Sequence, residues 1–436
     1  MSAFARTAAR AAYSLLLRIA TPLYLLRVRW RGRAEPLYAS AIGERIGRYR
    51  SAVPPGALWI HAVSLGETRA AAPLVAALRQ DRPGLRLLLT HGTATGRAAG
   101  QELLRDGDLQ AWLPWDTPGG VRRFLAHFAP LAGVLMETEI WPNLLAESKA
   151  RGLPVMLANA RLSQRSRRRG QRVDALLRPA FESLAAAFAQ TEADAARLRD
   201  AGAGEVVIAG NLKFDLSPEP ALIERGRHWK ATLGGRPVVL AAVTREGEEA
   251  SLLVVWRAVE APRPLLMIAP RHPQRFEAVA TLISQAGFAL SRRSVWAEGP
   301  ADADAQADVW LGDSMREMPA WYALADVALL GGSFAPLGGQ NLIEAAACGC
   351  PVVIGPHTFN FEEAAQQSLA AGAAVRVADM AGGVATALAL LADSDGRRQR
   401  AADAIAFAAA HRGASVRVAE VILQVLQRAT GRAPRS

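Results

Sequence analysis

Three glutamates of this 436-residue chain lie where an apolar, strand-like run gives way to a turn. Glu67 ends the string Ser64-Leu65-Gly66-Glu67 at the start of a predicted helix, and Glu137 and Glu139 flank a threonine after another apolar run. A carboxylate in such a position can take the proton of a hydroxyl group, which is general-base chemistry. A structural role is the alternative for Glu67, because an acidic residue in the first turn also complements the helix dipole.

Glu137 and Glu139 are so close in sequence that their charges repel each other. We therefore expect the pKa of one of them to be raised. The pattern does not show which of the two faces a ligand, and we expect at least one of them to cap the helix entered at Pro142.

A glycine-rich string follows the apolar run from Asp326 to Leu330 and leads into a predicted helix that begins at Leu342. Backbone N–H groups and a helix dipole that converge in this way predict a phosphate site, in which Glu344 accepts hydrogen bonds from ribose hydroxyls. An ordinary strand-to-helix turn is the alternative, since glycines at strand ends are common. The predicted ligand-binding residues of this string are Gly331, Gly332, Ser333, Gly338, Gly339, Asn341 (as helix cap), Leu342, Ile343 and Glu344.

Basic and polar residues follow other predicted strands. Lys213, in the string Asn211-Leu212-Lys213-Phe214-Asp215, is suited to pairing with an anionic donor or a developing charge, and an exposed lysine near a linker is the alternative. In the string Pro270-Arg271, the planar guanidinium group is predicted to bind a phosphate or carboxylate with two hydrogen bonds. A third string is predicted to meet a base or a ribose, and it consists of Ser314, Met315 and Arg316.

An arginine-rich stretch follows the strand predicted at Pro154 to Leu157. A solvated face is one interpretation, and a surface that binds lipid phosphates near a membrane is the other. Its members are Arg161, Arg165, Arg167, Arg168, Arg169 and Arg172. The two cysteines, Cys348 and Cys350, are too close in sequence for a normal disulfide and are predicted to be buried thiols. The sequence predicts neither a metal site nor a cofactor.

Strands and helices alternate from Leu58 onward and again from Pro237, and every polar string named above follows a strand. This pattern predicts an α/β fold with two Rossmann-like β/α/β domains facing a cleft, with ligands beyond the carboxyl ends of the strands. The predicted division is an N-terminal domain at 34–215, a linker at 216–235, and a C-terminal domain at 236–436 that ends in helices. Neither domain has a dinucleotide-binding G-x-G-x-x-G string or a Walker A string, which argues against an oxidoreductase.

The net charge of +11 indicates an anionic partner, and nucleic acid, anionic lipid and a phosphorylated substrate all satisfy it. The chain shows no nucleic-acid-binding signature, so no nucleic-acid partner is predicted.

Residues 1–33 favour a lipid surface. An amphipathic helix beside a basic cluster is typical of a helix that lies in the interface of an anionic membrane. Spanning the bilayer is less favourable because Arg10 and Arg18 would enter the hydrocarbon, and a core helix of a soluble domain is the other alternative. The predicted basic side of the helix carries Arg6, Arg10, Ser14 and Arg18. Its apolar side carries Phe4, Ala8, Ala12, Leu15, Ile19 and Leu23. The basic cluster that follows consists of Arg27, Arg29, Arg31 and Arg33.

These strings, taken in order, resemble those of the 3-deoxy-D-manno-octulosonic acid (Kdo) transferases, membrane-associated glycosyltransferases with the GT-B fold. The resemblance lies in Ile60 to Glu67 (H.VS.GE), Met136 to Asn143, Arg161-Leu162-Ser163, and the string from Gly331 to Phe361 that ends in GPHTFNF. Three places depart from the family pattern. Val243-Thr244-Arg245-Glu246 replaces the usual Ser-Thr-His-Glu, Arg316 replaces a glycine, and His91-Gly92 replaces the usual small polar loop.

The resemblance implies a function. It implies transfer of Kdo from CMP-Kdo to a lipid A precursor (lipid IVA) in lipopolysaccharide synthesis, with inversion, at the cytoplasmic face of an inner membrane. Glu67 is then the general base, Glu137 and Glu139 line the acceptor side, Lys213 pairs with charge, and the C-terminal domain binds CMP. A GT-B enzyme with a UDP-sugar donor and a non-catalytic membrane adaptor that binds anionic lipid are the alternatives.

Overall fold

The computed structural model describes residues 2–50, 52–215, 217–429 and 431. Residues 2–215 and the chain from Arg412 onward form one compact unit, and residues 217–411 form a second. Each unit contains a seven-stranded parallel sheet with helices, which confirms the predicted α/β class.

The sheet of the first unit has the strand order β3-β2-β1-β4-β5-β6-β7. Its strands are β1 (Leu58–His61), β2 (Leu87–His91), β3 (Leu109–Trp112), β4 (Ala132–Met136), β5 (Val155–Ala160), β6 (Ala186–Ala189) and β7 (Val206–Ile208). The helices that precede or follow them are α1 (Ala3–Arg31), α2 (Leu65–Asp81), α3 (Ala94–Gly100), α4 (Pro118–Phe128), α5 (Pro142–Ala150), α6 (Gln164–Gln171), α7 (Asp174–Phe181) and α8 (Glu192–Ala201).

The sheet of the second unit has the strand order β10-β11-β9-β8-β12-β13-β14. Its strands are β8 (Val238–Thr244), β9 (Leu265–Pro270), β10 (Leu290–Arg292), β11 (Val309–Leu311), β12 (Val327–Leu330), β13 (Val352–Ile354) and β14 (Ala374–Arg376). Its helices are α9 (Pro220–Ala231), α10 (Glu248–Arg257), α11 (Phe276–Gln285), α12 (Asp302–Ala305), α13 (Met318–Leu324), α14 (Ile343–Ala347), α15 (Glu362–Ala370), α16 (Met380–Ala392) and α17 (Ser394–Ala410); the last helix of the chain is α18 (Ala414–Ala429).

The central strands are continuous apolar runs, and helices cover both faces of each sheet. Leu58, Trp59 and Ile60 of β1 are fully buried, as are Val238 and Val239 of β8. Burial on both faces is the rule for parallel strands, and it is the reason why such runs are recognisable in the sequence.

Three short strands, β3, β10 and β14, were not predicted. All three lie at a sheet edge, and each mixes polar with apolar residues, as in Leu290-Ser291-Arg292 of β10. An edge strand has a neighbour on one side only, so its sequence lacks the apolar run of a central strand. Strand β14 therefore lies within the part of the C-terminal domain where only helices were expected after the GPHTFNF string.

The structure divides the chain differently from the sequence-based boundaries. Helix α9 fills most of the predicted linker and buries Trp229, whose ring packs against Trp296 and Trp321 of the second unit. Helix α18, which the sequence places in the C-terminal domain, packs on α2 of the first unit. The predicted linker start at Leu216 and the tail at 432–436 lie outside the described residues.

Asp215 attaches α18 to the first unit. Its carboxylate accepts hydrogen bonds from the N–H groups of Gly413 and Ser415, both at 2.5 Å. These N–H groups belong to the first turn, where a helix has no internal acceptors for them. Farther along, Val418 and Ile422 are completely buried. The last helix therefore completes the core of the first unit.

Helix α1 presents a continuous apolar face to solvent. Among the described residues, the segment Ala3–Ala34 is the one helix long and apolar enough to cross a membrane by length and composition. Its exposed large side chains are Phe4, Leu15, Leu16, Ile19, Leu23, Leu26 and Trp30, with Phe4 at 82% and Ile19 at 70% exposure.

The predicted basic side of α1 is divided in the structure. Arg10 and Arg18 are exposed, but Ser14 is buried and donates a hydrogen bond to Asn143 Oδ1 at 3.0 Å. Arg6 forms an ion pair with Glu182 at 2.7 Å. Arg6 and Ser14 therefore contact the rest of the first unit, while Arg10 and Arg18 lie in solvent.

Candidate functional site

The turn after β1 holds Glu67 through a reciprocal set of hydrogen bonds. Ser64 is the N-cap of α2, and its hydroxyl accepts the N–H of Glu67 at 3.4 Å and donates to Oε1 at 3.2 Å. Oε2 accepts the N–H of Val63 at 2.6 Å. This arrangement is similar to a capping box, except that the second N–H belongs to Val63, the residue before the cap, and it fixes the position of the Glu67 carboxylate.

Glu67 is nevertheless an unusual capping residue. Burial, with a smaller contribution from the charges of Glu137 and Glu139, raises its pKa to about 7 against the lowering effect of the Val63 N–H. Burial and the charge of Glu137 also raise the pKa of Glu139. The structure thus brings Glu67 within reach of two carboxylates that are distant from it in the sequence. A group with a pKa near neutrality is suited to proton transfer.

Glu137 pairs with Lys213. Lys213 Nζ lies 2.9 Å from Glu137 Oε1, and both side chains are about a quarter exposed. Glu137 itself has a left-handed backbone (φ 59°), an uncommon conformation outside glycine, and its N–H donates to the carbonyl of Ala158 at 2.8 Å. Of the two glutamates that the sequence left undistinguished, Glu137 is the one that holds the lysine.

The expectation that Glu137 or Glu139 caps α5 is wrong. The cap is Asp116, whose two oxygens accept the N–H groups of Asn143 at 3.1 Å and Leu144 at 2.8 Å. Asp116 also accepts the Tyr13 hydroxyl of α1 at 3.1 Å. The sequence gives no signal for this contact, because Asp116 precedes another helix and lies 27 residues before its partner.

The arginine-rich stretch has both buried and exposed members. Arg167 is buried and pairs with Asp200 at 2.5 Å, so this member supports the fold. Arg161 is half-buried. The remaining members lie in solvent, and they are Arg165, Arg168, Arg169 and Arg172.

In the second unit, the loops named from the sequence follow neighbouring strands. The order β11-β9-β8-β12-β13 places Ser314 to Arg316, Arg271, Thr244 to Glu248, the glycine string and the GPHTFNF string next to one another at the carboxyl edge. Because the strands are parallel, this edge is where an α/β sheet binds ligands.

The glycine string is organised by a residue that the sequence analysis did not single out. The buried carboxylate of Glu248 accepts four backbone N–H groups, those of Arg245 (2.9 Å), Gly332 (2.7 Å), Phe334 (3.1 Å) and Ala335 (3.3 Å). The sequence analysis expected the N–H groups of this loop to bind a phosphate. Three of them bind a carboxylate of the protein instead, so Glu248 fixes the loop from within.

The remainder of the string packs against GPHTFNF. Gly338 has a left-handed backbone (φ 90°), and a Cβ there would lie 2.2 Å from the Asn360 side chain, so glycine is required. The N–H of Asn360 donates to the carbonyl of Gly338 at 2.9 Å. Ser333 accepts the N–H of Gly355 at 2.8 Å. The two parts of the motif are thus a single packed structure.

The helix after the glycine string is short. It spans five residues, Ile343–Ala347, and its N-cap is Leu342, so the predicted start at Leu342 is one residue early. Asn341 still contributes, because its side chain accepts the N–H of Ile343 at 3.1 Å. Glu344 lies in the first turn, as predicted.

The ends of β8 and β9 carry a concentration of positive charge. Arg271 directly follows Pro270, the last residue of β9, and its N–H donates to the carbonyl of Thr244 at 3.0 Å. Partial burial and the nearby charges of Arg245 and Arg271 lower the pKa of His272, so this histidine adds no further charge at neutral pH. A guanidinium group at a sheet edge suits a phosphate ligand, and of the neighbouring arginines Arg245 pairs with Glu246 and Arg275 with Glu249.

The Ser314 to Arg316 string is tied to the second unit at one end and exposed at the other. The Ser314 hydroxyl donates to Glu317, which also pairs with Arg225 and Arg293. Met315 is 49% exposed. Arg316 has a left-handed backbone (φ 68°), which explains why a glycine suits this position.

Known folds identify this architecture. The glycosyltransferase of Rickettsia africae matches with a TM-score of 0.55 at 11% sequence identity, over 87% of this chain and 100% of that one. Two parallel seven-stranded sheets, each with its polar loops at the carboxyl edge, define the GT-B class of glycosyltransferase fold.

Sequence comparison then gives the family. The family described as "3-Deoxy-D-manno-octulosonic-acid transferase (kdotransferase)" matches residues 40–216. The chain is 47% identical to 3-deoxy-D-manno-octulosonic acid transferase of Bordetella pertussis over 95% of this chain and 98% of that protein. It is 35% identical, with the same coverage, to the protein of the same name from Haemophilus influenzae. The chain belongs to the Kdo transferase family and is a glycosyltransferase.

The first prediction concerns Glu248. Glu248→Gln removes the charge and points an N–H₂ group at a backbone N–H, so we expect the second unit to lose about 1–3 kcal/mol of stability. Hydrogen exchange at residues 332–335 should become faster. Glu246→Gln is the control, because Glu246 lies two residues away with 62% of its side chain exposed, so its substitution should leave stability nearly unchanged. Equal effects of the two substitutions on hydrogen exchange and thermal unfolding would contradict the role of Glu248.

Proposed function

We propose that this protein transfers Kdo from CMP-Kdo to a lipid A precursor, lipid IVA, in lipopolysaccharide synthesis, with inversion at the anomeric carbon. The observation that carries the proposal is the 47% identity to a Kdo transferase over nearly the whole chain. Incubation with CMP-Kdo and lipid IVA, followed by mass spectrometry of the lipid, tests it directly. A lipid of unchanged mass would reject the proposal.

Glu67 is the proposed general base. As the acceptor hydroxyl attacks the anomeric carbon of Kdo, its proton passes to the Glu67 carboxylate, and the bond to the CMP phosphate breaks. The two hydrogen bonds from Val63 and Ser64 hold the carboxylate in place and leave lone pairs for that proton. Its raised pKa makes it a stronger base than an exposed glutamate.

Glu139, Glu137 and Lys213 complete the proposed acceptor side. Lys213 pairs with Glu137, and burial raises the pKa of Glu67 and of Glu139. The sequence predicted that Lys213 pairs with an anionic donor or a developing charge. Its pairing with Glu137 supports instead a role in setting the charge around the base.

Turnover should depend on the ionised form of Glu67. We expect the rate to rise with pH and to level off above a pKa of about 7, because only the carboxylate accepts the acceptor proton. In Glu67→Gln this rise should vanish and turnover should fall roughly 10²–10⁴-fold, while thermal stability persists because glutamine also fits a capping box. The measurement is a single-turnover rate across pH with a melting curve.

Glu192→Gln is the matched control, since Glu192 also lies in the first turn of a helix in the first unit but is exposed. It should leave turnover and its pH dependence unchanged. A Glu67→Gln protein with near-normal chemistry would move the base to Glu139 or Glu137.

The proposed donor site is the carboxyl edge of the second unit. Arg271 is the proposed phosphate ligand, and Glu344 the proposed ligand of the ribose. The cationic surroundings of Arg271 and the rigid glycine string beside it support this assignment.

Nucleotide binding discriminates the alternatives. We expect CMP to compete with the donor more strongly than UDP, and Arg271→Ala and Glu344→Ala to weaken CMP binding by about 1.5–3 kcal/mol, the value of a charge-assisted hydrogen bond. Arg398→Ala is a control, because this arginine on α17 is 74% exposed. Calorimetry that shows preferential UDP binding would favour a UDP-sugar enzyme, and the absence of nucleotide binding would favour a non-catalytic adaptor.

The proposed location is the cytoplasmic face of an inner membrane, with α1 lying on anionic lipid. Its exposed apolar face and the exposed arginines Arg10, Arg18, Arg27 and Arg29 support a helix in the interface. The exposed members of the arginine-rich stretch, Arg165 to Arg172, add to the same attraction.

Lipid binding should depend on the apolar face of α1. The triple substitution Leu15→Ser, Ile19→Ser and Leu23→Ser removes three side chains that are 58–70% exposed, so the fold should persist. Full burial of one such side chain contributes about 1.5–3 kcal/mol. If the three side chains insert even partly into the lipid, their replacement should weaken cosedimentation with anionic vesicles at least about tenfold.

Matched serines at Val254, Ile405 and Val416 are the control, because these residues are 51–76% exposed on other helices. Equal loss of binding in both triple variants would exclude α1 as the specific anchor.

A further inference from the structure

Lys213 owes its position to a short element. It lies in a one-turn 3₁₀ helix, Leu212–Asp215, and reaches Glu137 with a long side chain that has many conformations. A lysine of this kind stays on one carboxylate only if its backbone is held in place.

Both ends of this 3₁₀ helix are held. At its end, Asp215 binds the first turn of α18. At its start, the side-chain oxygen of Asn159 accepts the N–H of Leu212 at 3.0 Å. Asn159 is the last residue but one of β5, so this contact joins the carboxyl edge of the sheet to the element that carries Lys213.

Asn159 bears features that a purely structural residue does not require. It is completely buried, its backbone is left-handed (φ 54°), and the pairing of β5 with β6 shifts register between Leu157 and Ala160. Its Nδ2 group is buried without a hydrogen-bond partner among the described residues. Backbone strain and an unpaired buried donor are both unfavourable, and proteins retain them mostly at functional sites.

We propose that Asn159 is a positioning residue for the glycosyl transfer, which fixes Lys213 on Glu137 by clamping the N–H of Leu212. This inference rests on the proposed function, because it gives the lysine a purpose beside the base. Asparagine suits the position because it tolerates a left-handed backbone better than other non-glycine residues and carries the acceptor that the clamp needs.

Loss of the clamp has a defined electrostatic consequence. The charged groups that act on Glu67 are Glu137 and Glu139, and Lys213 compensates the first of them. If Lys213 leaves Glu137, the uncompensated charge favours the protonated form of Glu67. The pH at which turnover rises then moves upward.

Asn159→Gly tests the clamp, because glycine adopts the left-handed backbone without steric cost but removes the acceptor. We expect turnover to fall by up to about a hundredfold, the cost of a small displacement near a reacting centre, with its pH dependence moved to higher pH and the KM for CMP-Kdo unchanged. A second readout does not depend on catalysis. Lys213 should react faster with an amine-acylating reagent, as followed by peptide mass spectrometry.

Two further variants complete the experiment. Asn159→Asp keeps the acceptor for Leu212, so its Lys213 should be as protected from acylation as in the wild type. Ala129→Gly, at another left-handed residue of the first unit (φ 36°), should match the wild type in every readout. If Asn159→Gly does not fold, Asn159→Ser is measured in its place.

The outcomes separate the two proposals. Unchanged acylation of Lys213 in folded Asn159→Gly overturns the clamp, as does a loss of thermal stability with the turnover per folded enzyme and its pH dependence unchanged. Faster acylation together with the shifted pH dependence supports it. Full turnover in Glu67→Gln would reject the base without affecting the acylation result.

Discussion

Hydrogen bonds from backbone N–H groups to buried or half-buried carboxylates hold the loops at the carboxyl ends of both sheets. Glu248 accepts four such groups, and Asp116, Asp215 and Glu67 accept two, two and one. A loop that leaves a parallel strand has N–H groups with no strand partner, and an unpaired buried N–H is costly. A charged acceptor satisfies several of them at once and makes stronger bonds than a neutral one. The loops that carry the candidate site are therefore rigid, because carboxylates of the protein itself accept hydrogen bonds from their N–H groups.

The same kind of hydrogen bond fixes the position of the Glu67 carboxylate, but it does not account for its basicity. A carboxylate that accepts backbone N–H groups usually has a lowered pKa, because those bonds stabilise the charged form. At Glu67, burial and two neighbouring carboxylates outweigh the contribution of Val63 and raise the pKa to about 7. Position and basicity thus come from different neighbours. The cap fixes the carboxylate, and the desolvated surroundings set its affinity for a proton.

The sequence predicted the parts of this structure that depend on local pattern. Buried strands such as β1 and β8 are apolar runs, and Glu67 and Lys213 stand in short strings that mark strand ends. The pairing of Lys213 with Glu137 was not predicted, because 76 residues separate them and nothing in either string indicates a contact with the other. For the same reason Glu248 escaped notice, since it lies 84 residues before Gly332. Contacts between residues so far apart in sequence depend on the order of the strands in the sheet, and no single string predicts that order.

The position of α18 bears on how this chain folds as it is synthesised. Strand β7 ends the sheet of the first unit at Ile208, yet the helix that covers α2 begins at Ala414. At a synthesis rate of about 5–20 residues per second, the apolar side of α2 waits about 10–40 s for its cover. The second unit lies wholly within that interval and can fold first. On the ribosome, the first unit is therefore synthesised first and completed last. Its apolar core stays open until α18 is made, and chaperones can shield it during that time.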